Sequence, residues 1–409
     1  MSKRLFLALH SSLITHHLVI TEVVMQIQEN VVEVSTATGI DVGKIEKELA
    51  AMWRPSGEGS GVNAESGVTR ACALNLVVYA NAGEDRSKID DMLDDVSEQH
   101  PGRTLVLLAD REAAESNLEA YVSTRCRRLG GSGKQVCGEQ VTIEAAGEAV
   151  ETVASAIAPL LVPDAPVFLW WKDIPHYEDN LFSRMTAMSD RVVLDSSCFD
   201  HPHEDLERLS QIIKEHPQFM TASDLNWGRL TAWRTLIASF WDVSDYRPSL
   251  DKIDRVLVEY DSPDCAPNEI APKALLVTGW LISRLGWKIE EAGKSAENGA
   301  ANFQLRAGER KLTAELRATT RAGHTDGMLV SLTVSSSEAG AEFHVGHSDD
   351  RKKLTTEARI DATHTVGRVL SYEEKSEGQR LSRELSLFKR DLVYEQALAA
   401  AAELIEKLR

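Results

Sequence analysis

The sequence predicts an α/β protein, with a mostly parallel, Rossmann-like N-terminal domain followed by an α+β domain built on an antiparallel sheet. Three observations predict it. Apolar runs at 72–80 and 104–109 flank an acidic amphipathic helix at 87–99, the pattern of parallel strands buried on both faces. Beyond 286 the chain turns to short strand-like segments parted by polar turns such as Asn298-Gly299 and Ala307-Gly308. The length of 409 residues gives room for two or three domains at about 150 residues each.

The elements follow in order. Asp41 caps a helix at 41–53 that carries Ile45, Leu49 and Met52 on one face, and Pro55 stops it. Residues 56–67 are rich in Gly and Ser and form a linker, so 1–67 is an extension. The α/β domain is expected at 68–222. Leu74, Leu76, Val77, Val78 and Tyr79 mark its first strand, and Ile89, Met92, Leu93 and Val96 face the core from the helix after it. Strands follow at 118–128 and 135–144, then a helix at 146–160, a strand at 167–171, a helix at 178–188, a strand at 191–194 and a helix at 203–215. The second domain is expected at 223–409. A helix at 226–241, capped by Asp224, puts Trp227, Leu230, Trp233, Ile237 and Trp241 on one face. A strand at 252–260, a helix at 269–284, the β-rich stretch 286–372 and an alanine-rich helix at 391–408 complete it.

Composition narrows the function. With 45 basic against 63 acidic residues the net charge is −18, and the longest basic cluster is Arg125, Arg127 and Arg128. That is no phosphate-neutralising stripe, so no nucleic acid partner is expected. No run of 18 apolar residues occurs, so no membrane span is expected. Residues 1–24 imitate a signal peptide without a cleavage site, and Met25 is the expected true start. Cys72, Cys126, Cys137, Cys198 and Cys265 include no C-x-x-C pair, which speaks against a disulfide framework and for a reducing cytoplasm.

Chemical motifs are scarce. Gly131-Ser132-Gly133-Lys134 resembles a phosphate loop, yet Arg128 and Gln135 stand where a P-loop needs Gly and Ser or Thr, and a strand follows instead of a helix. The cluster Cys198 to Asp205 holds His201 and His203 around Pro202 and reads as a capped helix start more readily than as a metal site. There is no G-x-S-x-G and no H-E-x-x-H. Catalytic residues, a metal site and a cofactor are therefore not expected. The tryptophans are less ordinary, because seven of the eight fall between 170 and 287. Trp170 and Trp171 are adjacent on one strand and must point to opposite faces. The cluster reads either as an interdomain core of Trp171, Trp227, Trp233 and Trp241, or as a partner contact.

Four blocks resemble the OpcA family of glucose-6-phosphate dehydrogenase assembly proteins. They are Val136 to Val141, Pro159 to Trp171, Ala187 to Ser197, and Asp224 to Leu230 with Trp233-Arg234. The resemblance implies a cytoplasmic non-enzyme that binds glucose-6-phosphate dehydrogenase, promotes its active oligomer and supports NADPH production in the oxidative pentose phosphate pathway. Some relatives link the effect to thiol redox state, for which the scattered cysteines here offer no vicinal pair. Sites in parallel sheets lie beyond the carboxyl ends of strands. The expected partner-binding edge is therefore Trp170, Trp171, Lys172, Arg191, Asp195, Ser196 and Ser197, joined by Asn226, Trp227 and Arg229. Asp190-Arg191 is expected as an internal ion pair. The competing reading is a sensor of a sugar phosphate or nucleotide, or an enzyme, using the same edge.

Overall fold

The computed structural model describes residues 26–32, 35–36, 39–53, 68–128, 135–176, 178–217, 220–295, 299–319, 325–348, 350–360, 363–387 and 389–409. The expected start at Met25, the linker 56–67 and the loop Gly131-Ser132-Gly133-Lys134 lie outside these residues.

The chain opens with β1 (Gln26–Val32), a small hairpin of β2 (Ser35–Thr36) and β3 (Gly39–Ile40), and α1 (Val42–Met52). The Asp41 carboxylate accepts from the Lys44 N–H at 3.0 Å, and Ile45 and Leu49 are buried, so this helix docks on the main body. Then come β4 (Val68–Arg70), β5 (Asn75–Asn81), α2 (Arg86–Gln99), β6 (Arg103–Asp110), β7 (Asn117–Arg128), β8 (Gln135–Ala146) and α3 (Ala149–Ile157). The first sheet is completed by β9 (Val167–Trp171), α4 (Asn180–Ala187), β10 (Arg191–Leu194), α5 (Pro202–Glu215) and β11 (Ala222–Asp224). Its spatial order is β1-β7-β8-β6-β5-β9-β10-β11, with β4 beside β8. The strands from β8 to β11 in this order run parallel; β7 runs antiparallel to β8, and β1 antiparallel to β7. Numbered along the chain, the six parallel strands follow the 3-2-1-4-5-6 order of doubly wound folds.

The second half contains α6 (Leu225–Arg229), α7 (Thr231–Ser239), α8 (Arg247–Leu250), β12 (Arg255–Asp261) and α9 (Pro272–Leu285). It continues with β13 (Lys288–Lys294), β14 (Ala301–Ala307), β15 (Arg310–Thr319), β16 (Leu329–Ser336), β17 (Ala341–His347), β18 (Lys353–Ile360) and β19 (Thr363–Ser371). It closes with α10 (Glu377–Leu385) and α11 (Leu392–Leu408). The second sheet is ordered β13-β14-β15-β12-β16-β17-β18-β19, antiparallel throughout except where β12 meets β15. Strands β14 and β15 bury every second residue, which is why this stretch alternates in sequence.

Several expectations change. The single helix at 226–241 is broken into α6, α7 and a short 3-10 turn, because the Leu230 N–H closes a tight turn on Trp227 and Gly228 carbonyls. Trp227 and Trp233 thereby meet different neighbours. Helix α10 was not expected. Ser376 and Gln379 form a capping box at its start, a local signal in the sequence. Cys126 and Cys137, at directly paired positions of β7 and β8, form a single disulfide. Antiparallel register brings together cysteines that spacing alone leaves apart.

Strand β11 spans the boundary expected at 222, and α10 returns to pack on α2. An added Cβ at Gly378 would lie 2.5 Å from the Asp95 Cβ and 2.6 Å from the Met92 carbonyl oxygen. One hydrophobic cluster runs continuously from Ile45 through Trp171, Trp227 and Trp233 to Phe343 and Tyr394, with Trp241 packed at its edge.

Candidate functional site

The carboxyl ends of β9, β10 and β11 face α6 and α10, and this cleft gathers most of the expected edge. Strand alternation sends Trp171 into the large cluster and Trp170 into a second, on the opposite face with Leu76, Val78, Leu225 and Leu381. Each is 1% exposed, so neither tryptophan offers surface to a partner in this conformation. Trp171 stacks on Tyr79 with ring centroids 3.7 Å apart and meets Phe182 edge-on at 4.9 Å. The Lys172 ammonium lies 4.6 Å over the Trp170 ring and pairs with Glu84 at 3.4 Å and with Glu377 of α10 at 3.5 Å. Lys172 thus ties the first sheet to the C-terminal segment.

Arg191 is 2% exposed. It does not pair with Asp190. Its guanidinium donates to Ser223 Oγ and the Lys389 carbonyl, both at 2.6 Å, while Asp190 accepts from the Val167 N–H at 2.8 Å. Adjacent residues on an extended chain point apart, which separates the expected pair.

After β10 the chain makes a tight polar knot. Asp195 accepts from the Ser197 N–H at 3.1 Å and Ser197 Oγ at 2.6 Å, the turn-capping role its position suggests. Arg229 grips Asp195 with two parallel hydrogen bonds of 2.6 and 2.7 Å. Burial pushes the Asp195 carboxyl up, but the guanidinium outweighs it and holds the pKa below the ordinary value. Behind this pair, Asp224 accepts from the Ser196 N–H at 3.0 Å, Ser196 Oγ at 2.7 Å and the Asn226 N–H at 2.8 Å. Complete burial, with the nearby Asp195 charge adding, pushes Asp224 up to about 6. Asn226 donates to Ser196 Oγ at 3.0 Å. Trp227 donates to Asp391 at 3.0 Å, and Arg234 stacks on its ring at 3.5 Å. These residues bind the two halves of the chain to each other.

In front of the knot lies a cavity of about 270 Å³, lined by α6, α10 and the end of β19. Gly228, Arg229, Thr231, Tyr372, Arg380 and Arg383 form part of its wall. Sequence reading missed Tyr372, Arg380 and Arg383. The capping box of α10 was the one local signal for two of them. Among the described residues there is no group of three or more His, Cys, Asp or Glu that could hold a metal. His203 is structural, as its Nε2 accepts from the Ile270 N–H at 2.9 Å.

Doubly wound folds of this strand order place a dinucleotide pyrophosphate at the turn after the first strand. The residues of this turn do not fit one. Gly83 is the only glycine in Asn81-Ala82-Gly83-Glu84-Asp85. Its N–H is taken by Asn81 Oδ1 at 3.0 Å, and the Glu84 N–H by the Asn81 carbonyl at 3.0 Å. The Asp85 carboxylate occupies the helix start by accepting from the Ser87 N–H at 3.0 Å. The donors a pyrophosphate needs are used, and the Asp85 carboxylate stands at the helix start where it would lie.

Comparison with known proteins gives the family. Residues 93–211 match the OpcA family model described as the glucose-6-phosphate dehydrogenase subunit N-terminal domain, and residues 220–398 match its C-terminal counterpart. A protein of Nostoc punctiforme named as OxPP cycle protein OpcA is 27% identical over 340 residues, covering 81% of this chain and 70% of its own. One of that name from Synechocystis is 27% identical over 322 residues, covering 76% of this chain and 65% of its own. Among solved structures, an NAD binding oxidoreductase from Klebsiella pneumoniae superposes with a TM-score of 0.47 at 11% identity, covering 83% of this chain and 96% of its own. An aldose-aldose oxidoreductase from Caulobacter crescentus gives 0.45 at 10% identity, covering 82% and 96%. At these values the likeness speaks to neither substrate nor cofactor. With both domain models matched in order along the sequence, the chain belongs to the OpcA family.

Proposed function

We propose that this chain binds glucose-6-phosphate dehydrogenase as a non-catalytic assembly factor and allosteric activator, and so supports NADPH production. The observation that carries this reading is the consecutive match of both halves of the chain to domains described as parts of a glucose-6-phosphate dehydrogenase subunit. The oxidative pentose phosphate role in the names of the relatives supports the pathway. An activator acts only through differential affinity for two states of its target. A tenfold population shift takes about 1.4 kcal/mol, within reach of one well-packed apolar contact.

In this reading Trp170, Trp171, Lys172, Arg191, Asp195, Ser196, Ser197, Asn226, Trp227 and Arg229 form the frame of the partner site. The contact itself falls to the segment they hold. Val369 (59% exposed), Leu370 (43%), Leu387 (42%) and Leu392 (58%) lie along one stretch of chain, and exposed large apolar side chains are candidates for docking contacts.

The test is the rate of purified glucose-6-phosphate dehydrogenase from the same organism, titrated with this protein and with the Val369→Asp/Leu370→Asp variant. Saturable activation and co-elution on a sizing column are expected. The variant should weaken both by about tenfold or more while its melting temperature stays within a few degrees, as is usual for surface substitutions. No activation and no co-elution by the unaltered chain would overturn the proposal.

A further inference from the structure

The second sheet ends in two edge strands, and the sequence treats them differently. An edge presents a row of unpaired N–H and C=O groups, which natural proteins blunt with charge, proline, brevity or cover. Strand β13 is blunted, with Lys288, Glu290, Glu291 and Lys294 along it and α11 packed on it. Strand β19, at the other end, has β18 as its one strand neighbour among the described residues. It runs for nine residues, carries a single charged residue, Arg368, and has no proline. A bulge sets Gly367 and Arg368 together against Thr356 and bounds the regular edge on one side. Beyond it Val369, Leu370 and Ser371 are all exposed, so this stretch is open on both faces.

The direction of the backbone groups follows from the ladder. The Tyr372 N–H donates to the Lys352 carbonyl at 2.7 Å, a hydrogen-bonded pair between the two strands. The Lys353 carbonyl instead accepts from the Ser348 N–H at 3.0 Å, on the β17 side. Antiparallel ladders alternate between pairs that exchange hydrogen bonds and pairs that do not. Ser371, opposite Lys353, and Val369, opposite Thr355, therefore turn their N–H and C=O groups away from β18. Two donors and two acceptors stand along the free edge at the spacing a strand presents, with Val369 and Leu370 flanking them.

Charge selects the occupant. A second copy would bring two Arg368 side chains to one short edge and press together two chains of net charge −18. A segment of another protein that carries a carboxylate opposite Arg368 meets its charge. We propose that the free edge of β19 at Val369–Ser371 receives a short extended segment of glucose-6-phosphate dehydrogenase by strand addition, with apolar side chains beside Val369 and Leu370 and a carboxylate facing Arg368. This rests on the reading that the enzyme is the partner, and names how it docks. Main-chain pairing supplies the affinity and the flanking side chains the choice of segment.

The test uses the full chain and purified glucose-6-phosphate dehydrogenase from the same organism, with affinity read by calorimetry. Val369→Pro removes an N–H that β18 does not use, so the melting temperature should stay within a few degrees. It should weaken binding by about tenfold or more, on the scale of one or two hydrogen bonds, whereas Val369→Thr, which keeps the N–H, should lose less. Arg368→Glu should also weaken binding by about tenfold. Hydrogen exchange of the amides in 363–371 should slow when the enzyme is added. Should Val369→Pro fold poorly, Ser371→Pro and the exchange measurement decide. Equal binding by Val369→Pro and Val369→Thr, or exchange at β19 unchanged by the enzyme, would overturn strand addition and leave the partner reading standing. No binding by the unaltered chain would overturn both. A dimer of the chain alone on a sizing column, broken by Val369→Pro, would assign the edge to a second copy and overturn the proposal.

Discussion

Trp170 shows how a single position changes meaning once its surroundings are known. On sequence it stands at the end of a strand where parallel sheets place their sites, and alanine there would weaken partner binding with little change in melting temperature. In the fold it is 1% exposed and packed among Leu76, Val78, Val193 and Leu381. Replacing a buried aromatic by alanine costs about 3–5 kcal/mol. Trp170→Ala is therefore expected to lower the melting temperature sharply, by roughly 6–20 °C on the usual scaling of about 2–4 °C per kcal/mol. A melting temperature within a few degrees of the parent would mean that the ring is not core. Glu139, in the first block of family resemblance, is similar. It takes hydrogen bonds from Arg103 at 2.6 and 2.9 Å, from Arg70 at 3.0 Å and from Trp53 at 2.6 Å. This carboxylate anchors the end of α1 to the sheet.

The elements meet closely at a few glycines. At Gly279, midway along α9, an added Cβ would lie 2.2 Å from the Ala397 carbonyl oxygen of α11. Two effects compete on Gly279→Ala. Helix propensity favours alanine by about 1 kcal/mol. Overpacking against backbone that cannot swing aside costs about 1–3 kcal/mol. The backbone contact should win, so the variant should melt earlier, as differential scanning fluorimetry would read. A more stable variant would mean that α9 and α11 cross further apart. The capping-box helix α10 was legible locally, through Ser376 and Gln379, whereas β11 has only three residues and no pattern of its own.

At the scale of the whole molecule, the two sheets share one apolar cluster, and the C-terminal segment packs back on α2. Because one of the two apolar clusters spans both sheets, the two halves should unfold together. Calorimetry is expected to record a single transition with matching calorimetric and van't Hoff enthalpies. Two resolved transitions would mean that the halves on either side of β11 fold independently. The charge of −18 adds a long-range term, and an acidic body suits steering toward a basic patch on the proposed partner.

The sequence by itself determined the parallel sheet, the antiparallel sheet and the caps at Asp41 and Asp224. It also carried the family, through ordered blocks of residues. Each of these is written in local spacing: alternation for strands, helical periodicity for helices, one polar residue at a helix start. Only the tertiary structure decided that Trp170 and Trp171 are core on opposite faces and that Arg191 reaches Ser223 instead of Asp190. It alone joined Cys126 to Cys137. Those facts depend on residues far apart in the chain, and local spacing cannot encode where a crossover or a returning helix will place them.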